Sequence, residues 1–252
     1  MQTASLRQAV DSAEWALRVD LAACHRLAAG YGWSDLGVAR ISVGLPGPER
    51  DLLVHPPGLM GEEVTASALC KLDRHGQPLT DALSRVGLPG FAIHAALHAA
   101  RPDIGCVLLV RSRAGVALSA QAGGIRPVSQ QSAFVLGSLG YHAPSGVDGC
   151  GIHAQQLQHD LGSASHLVLR NHGLLTVGAT VADAFMHMFR LQAACQIQLS
   201  AQRGGELIGF GAQVYTADDE AGRYVRGGGR GGGFVWPALL RRLDRTDRGY
   251  RD

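Results

Sequence analysis

The chain has 252 residues, 46% of them hydrophobic and 17% charged, and its 23 Lys and Arg against 21 Asp and Glu leave a formal charge of +2. Such a composition can bury a core, which excludes a disordered chain, and every apolar run is interrupted well before the ~18 residues a membrane span needs. A near-neutral balance lacks the cationic surplus that phosphate backbones and anionic lipid surfaces demand, so neither nucleic acid nor membrane is an expected partner.

The five cysteines, Cys24, Cys70, Cys106, Cys150 and Cys195, are odd in number and widely spaced. They form neither a disulfide framework nor a CxxC motif, which fits reduced thiols in a cytoplasmic protein. Residues 1–30 carry Asp11, Glu14, Arg18, Asp20 and His25, leaving no uninterrupted apolar stretch for a secretory signal. Cys106 reads as core, and Cys150 as a surface thiol in a glycine-flanked loop near His153.

In chain order, Val10, Ala13, Leu17, Leu21, Cys24 and Leu27 recur at three- and four-residue steps, which predicts one helix over 5–29 ended by Gly30 and Gly32. Residues 51–54 read as a short strand running into His55-Pro56-Pro57-Gly58, where the prolines and glycine impose a turn. Residues 65–72 fit a short strand or a helix. An Ala-rich segment, 90–100, carries His94 and His98 four apart and stops at Pro102. Residues 104–110 then have the continuous apolar character of a central strand. An amphipathic helix is expected over 151–161, a buried strand over 166–170, and a hairpin-like return over 174–177 after Asn171-His172-Gly173. Thr180 and Asp183 signal the start of a long helix to about 202, with Ala184, Met188, Leu191, Cys195 and Leu199 on its buried face. The glycine patch 227–233 encloses Arg230; a single such instance without repeated aromatics reads as a flexible surface loop rather than an RNA-binding or phosphate-binding segment. It precedes Phe234-Val235-Trp236-Pro237 and a basic, helix-like tail. The sum is a mixed α and β chain with long helices flanking a sheet.

Several blocks together resemble the class II aldolase/adducin family, in its bacterial adducin-like branch. They are LAACHRLAAGYGWSDLGVARIS (21–42), residues 52–72, HAALHAARPD (94–103), CVLLVRSRAGVALS (106–119) and LVLRNHGLLTVG (167–178), covering about 19–207 in order. The resemblance implies a three-layer α/β/α fold with a mostly antiparallel sheet over residues 1–210, a C-terminal extension over 211–252 packed on the same domain, and assembly as a homo-oligomer, commonly a tetramer.

Catalytic relatives hold zinc with a His-x-His pair on a central strand and a third His in an Asn-His-Gly loop, while a Glu serves as acid/base. The ion polarises the substrate's oxygens and the carboxylate moves the proton. Aligned on the Ala-Leu-Ser that follows, the His-x-His positions here are Leu109 and Arg111, and the Glu position is Gly90; only His172 survives. A lone His does not hold zinc usefully, so no metal and no other cofactor is expected. Ala39-Arg40-Ile41-Ser42 stands where relatives have Asn-His-x-Ser, with Ser42 and the Pro57-Gly58 turn retained.

On an extended strand Leu109 and Arg111 would share a face, putting a guanidinium where the metal would have been. Arg111 could bind a carboxylate, phosphate or enolate oxygen, helped by Arg40 or Arg113; equally, it could pair with a local carboxylate and fill a retired pocket. His94, His98 and His172 are candidates for proton transfer, and their alternative as a relocated metal triad lacks a supporting carboxylate. The expected substrate-binding set is Arg40, Ser42, Gly58, Arg111 and Arg113, and the expected catalytic set His172, His98, His94 and Arg111. Two functions compete: a metal-independent enzyme acting on a small anionic carbonyl or hydroxy compound through an enolate-like intermediate, as a lyase, isomerase or cyclase, and a non-catalytic adducin-like scaffold. An intact metal-dependent aldolase is disfavoured by Leu109, whose alkyl side chain offers no ligand atom.

Overall fold

A computed structural model describes residues 6–34, 39–79, 91–143, 154–209 and 232–252. Its centre is a seven-stranded sheet: β1 (Arg40–Gly44), β2 (Leu52–Val54), β3 (Cys70–Leu72), β4 (Cys106–Val110), β5 (Leu139–His142), β6 (His166–Leu169) and β7 (Gly173–Gly178), in spatial order β3-β2-β1-β4-β7-β6-β5. Every neighbouring pair is antiparallel except β5 with β6.

The apolar run in β4 is explained by burial on both faces. Val107 and Leu109 pack with Ile93 and Leu97 of α3 (Phe91–Ala100) and with Leu157 and Leu161 of α6 (Ala154–Leu161). Leu108 and Val110 join the larger cluster on the other face, with residues of α2 (Ser12–Gly30) and α7 (Val181–Gln202). The architecture is therefore three-layer α/β/α with a mostly antiparallel sheet. Shorter helices α4 (Arg113–Ser119) and α5 (Gln130–Leu136) pack beside α7. No described helix is long and apolar enough to cross a membrane.

The single helix expected over 5–29 is two. α1 (Leu6–Ala9) stops before Asp11, whose extended backbone and carboxylate, accepting from the Glu14 amide at 2.7 Å, cap α2 instead. Residues 65–72 pair as a strand only over Cys70–Leu72, because the amides of Ala66 and Ser67 are taken by the carbonyls of Tyr250 and Asp252. Helix α8 (Gly232–Thr246) begins before Pro237 and packs on α7 and α2, with Trp236 donating to Asp20 at 2.9 Å and Arg26 paired with Asp247. Glycines 227–231, Gly90, Cys150 and His153 lie outside the described residues. Cys106 and Cys195 are buried core thiols, and burial raises both pKa values, that of Cys195 to about 12.

Candidate functional site

Antiparallel pairing brings the start of β1, the end of β4 and the start of β7 to one end of the sheet. Arg40 lies opposite Leu109, and Leu109 opposite Leu175. Arg40, Arg111 and His172 therefore gather there, from three segments far apart in sequence. β4 ends at Val110, so Arg111 stands one residue past the strand and is exposed, whereas Leu109 is 2% exposed inside the apolar cluster. The side-by-side pair expected on one buried strand is thus divided into a core residue and a rim cation.

His172 owes its place to a tight return from β6 to β7. Asn171 has φ 57°, a left-handed conformation that Asn tolerates, and Gly173 has φ 153°. A Cβ on Gly173 would collide with the Val110 carbonyl and press on the Arg111 side chain. Gly173→Ala is therefore expected to cost about 2–4 kcal/mol, read as a fall in Tm of roughly 5–15 °C in a thermal melt. A wild-type melting curve would refute the turn geometry.

Arg40 is half-buried, and both burial and the neighbouring Arg111 guanidinium depress its pKa. Among the described residues no carboxylate pairs with Arg40 or Arg111. His172 has its pKa lowered by burial, by Arg111 and by Arg40, and its Nε2 is buried without a partner. Two cations without a carboxylate partner among the described residues and a neutral imidazole with an unsatisfied nitrogen form an electropositive corner.

His94 and His98 face the same side of the sheet but are engaged with Ser42. The Ile104 carbonyl can only accept, so His98 donates to it from Nδ1 at 3.2 Å. Its Nε2 then accepts the Ser42 hydroxyl at 2.9 Å, and Ser42 Oγ accepts Nδ1–H of His94 at 2.8 Å. Nε2 of His94 remains a bare acceptor, buried and unpartnered. Both imidazoles are held neutral, mainly by burial, with His98 lowered to about 4. Both nitrogens of His98 are thus committed, so His94 and His172 keep the available lone pairs.

Sequence reasoning left His55 in a turn and His25 in a helix, yet their rings meet edge to face at 4.7 Å. His55 is lowered to about 4 by burial and by Arg40, so it borders the same corner. The pairing of Ser42 with Val54 places the end of β2 beside the start of β1, a register that the sequence does not display. Gly58 takes φ 92° in the turn that follows, where a side chain would be strained. Arg113 is exposed at the first position of α4.

The family's zinc does not fit these residues. Leu109 supplies no donor atom, Arg111 supplies only N–H groups, and no cluster of three His, Cys, Asp or Glu among the described residues is arranged for a metal.

A family profile, the Class II Aldolase and Adducin N-terminal domain, matches residues 19–199. A predicted aldolase class 2 protein of Pseudomonas aeruginosa is 48% identical over 98% of this chain and 96% of its own length. Alpha-adducin of Rattus norvegicus is 36% identical over 96% of this chain, which spans only 35% of that longer protein. Among solved structures, an aldolase II superfamily protein from Pseudomonas syringae superposes with a TM-score of 0.89, at 37% identity over 99% of this chain and all of the other. The L-fuculose 1-phosphate aldolase of Glaciozyma antarctica gives 0.78, at 25% identity over 95% and 93% of the two chains.

Proposed function

The chain belongs to the class II aldolase and adducin family, and from that membership and its altered site we propose that it is a metal-independent enzyme acting on a small anionic carbonyl or hydroxy compound. The observation that carries this reading is the pair Arg40 and Arg111, adjacent in charge with no described carboxylate to neutralise either. An anionic substrate relieves both the burial cost of Arg40 and the repulsion between the two guanidiniums.

In this reading the substrate's carboxylate or phosphate sits between the guanidiniums, and its carbonyl oxygen takes the negative charge of an enolate facing them. The proton leaving carbon goes to the neutral imidazole of His172, so imidazolium and enolate form together and the net charge of the complex is unchanged. Collapse of the enolate returns the proton to carbon or expels a leaving group, giving isomerase, cyclase or lyase chemistry. His94, with its tautomer set through Ser42, is a second acceptor. Self-association in the cytoplasm completes the proposal.

Sugar phosphates, hydroxy acids and keto acids at about 100 times Kd should raise Tm by roughly 5–10 °C for the matching class, and Arg111→Ala should abolish the shift. Dialysed protein should retain well under one zinc or iron per chain; stoichiometric metal, or an equal shift in Arg111→Ala, would overturn the reading. A second reading, a non-catalytic scaffold, draws on the 36% identity with alpha-adducin. It predicts no shift with any of these anions in a protein that still self-associates by light scattering.

A further inference from the structure

A cavity of about 580 Å³ opens at the end of the sheet opposite Arg40 and Arg111, between Ile104, Val177 and the face of α7 that carries Asp183, His187 and Arg190. Seven residues of chain along β4 separate Ile104 from Arg111, so the two sites are roughly 20 Å apart. The size falls within the range of small-molecule sites.

Two imidazoles line it, with ring centroids 4.9 Å apart. His166 is 2% exposed and directs Nδ1 at the Ser138 carbonyl, 3.0 Å away; His187 directs Nδ1 at the Val177 carbonyl, 2.7 Å away. Carbonyls only accept, so both rings carry the proton on Nδ1, and both Nε2 atoms are bare acceptors. Nε2 of His166 is buried with no partner, an unmet demand inside the fold. Burial keeps the rings neutral, as does the charge of Arg190, so neither becomes a donor near neutral pH.

The other lining groups narrow the ligand. Arg101 and Arg190 balance Asp103 and Asp183, so the cavity attracts no net charge. An anion meets no net positive charge in this lining, and a cation is opposed by Arg190, whose charge already acts on both rings. A metal has no third His, Cys, Asp or Glu within reach among the described residues. What remains is an uncharged molecule rich in hydroxyl donors. We propose that this cavity binds a small neutral polyol or sugar, one of whose hydroxyls donates to Nε2 of His187.

Saturation-transfer NMR on the full chain with sorbitol, D-xylose and D-glucose as probes tests the proposal. Transfer is expected to at least one probe at millimolar concentration, and it should persist in Arg111→Ala, which disables only the anion site. It should be lost in His187→Phe and also in Ser163→Trp, an exposed lining position where a bulky ring obstructs the cavity without disturbing the core. No transfer to any probe, or transfer surviving both cavity variants, would overturn it. So would displacement of the sugar signal by micromolar Zn²⁺, which would make the histidines a metal pair instead.

Discussion

Acidification is expected to unfold this protein cooperatively between about pH 5.5 and 4, beginning above the pH at which most carboxylates protonate. Burial lowers His55 and His98 to about 4 and His166 to about 3, and pushes His25 and His94 down as well. In the unfolded chain each returns to about 6.5. The native state therefore binds fewer protons below that value. The neutral imidazoles leave stability intact above pH 6.5, and it is lost as pH falls toward the native pKa values. Each histidine costs about 1.4 kcal/mol per pH unit over that window, so the three with defined values remove roughly 9 kcal/mol by pH 4. That approaches the whole stability of an ordinary domain. Fluorescence of the buried Trp33 and Trp236, with far-UV circular dichroism, should show one transition taking up three or more protons. A protein still native at pH 3.5 would refute the burial of these rings as neutral groups.

Those histidines also mark where the sequence was readable and where it was not. α7 was legible because one helix carried its own evidence: Thr180 caps the Asp183 amide, and Ala184, Met188, Leu191 and Cys195 repeat on the buried face, with Leu199 only half-buried at the frayed end of the pattern. β4 was legible because strands covered on both faces lose their alternation. β1 was not predicted, though it adjoins β4 at the heart of the sheet. Its core-facing Ser42 looks polar until two histidines from α3 are seen to satisfy it. Eleven histidines gave no hint of which would be buried. Burial of a polar ring depends on partners such as the carbonyls of Ile104 and Ser138, and main-chain carbonyls have no sequence signature. That Leu109 and Arg111 carry no metal-donor atom was readable directly; the approach of Arg40 to Arg111 required the register of β1 against β4.

Anion affinity at this corner should strengthen as pH falls, the opposite of what a metal site would do, since ligand histidines there would protonate and release the ion. In the free protein burial, Arg111 and Arg40 hold His172 below its ordinary value. A bound anion offsets both guanidiniums, so the His172 pKa rises on binding and a proton is taken up. Affinity for a matching carboxylate or phosphate should therefore increase from pH 7.5 toward pH 6, by at most about tenfold per unit. Calorimetry in two buffers of different ionisation enthalpy should register fractional proton uptake. His172→Gln should flatten the pH dependence while leaving affinity at pH 7.5 within a few-fold. Arg40→Ala should weaken binding by about 100-fold, because it removes a half-buried charge-assisted donor pair. Arg40→Lys should recover only part of that, since a point charge lacks the planar fork. Affinity that falls toward low pH, or an Arg40→Ala protein that binds normally, would remove His172 and Arg40 from the site and leave the family scaffold without this chemistry.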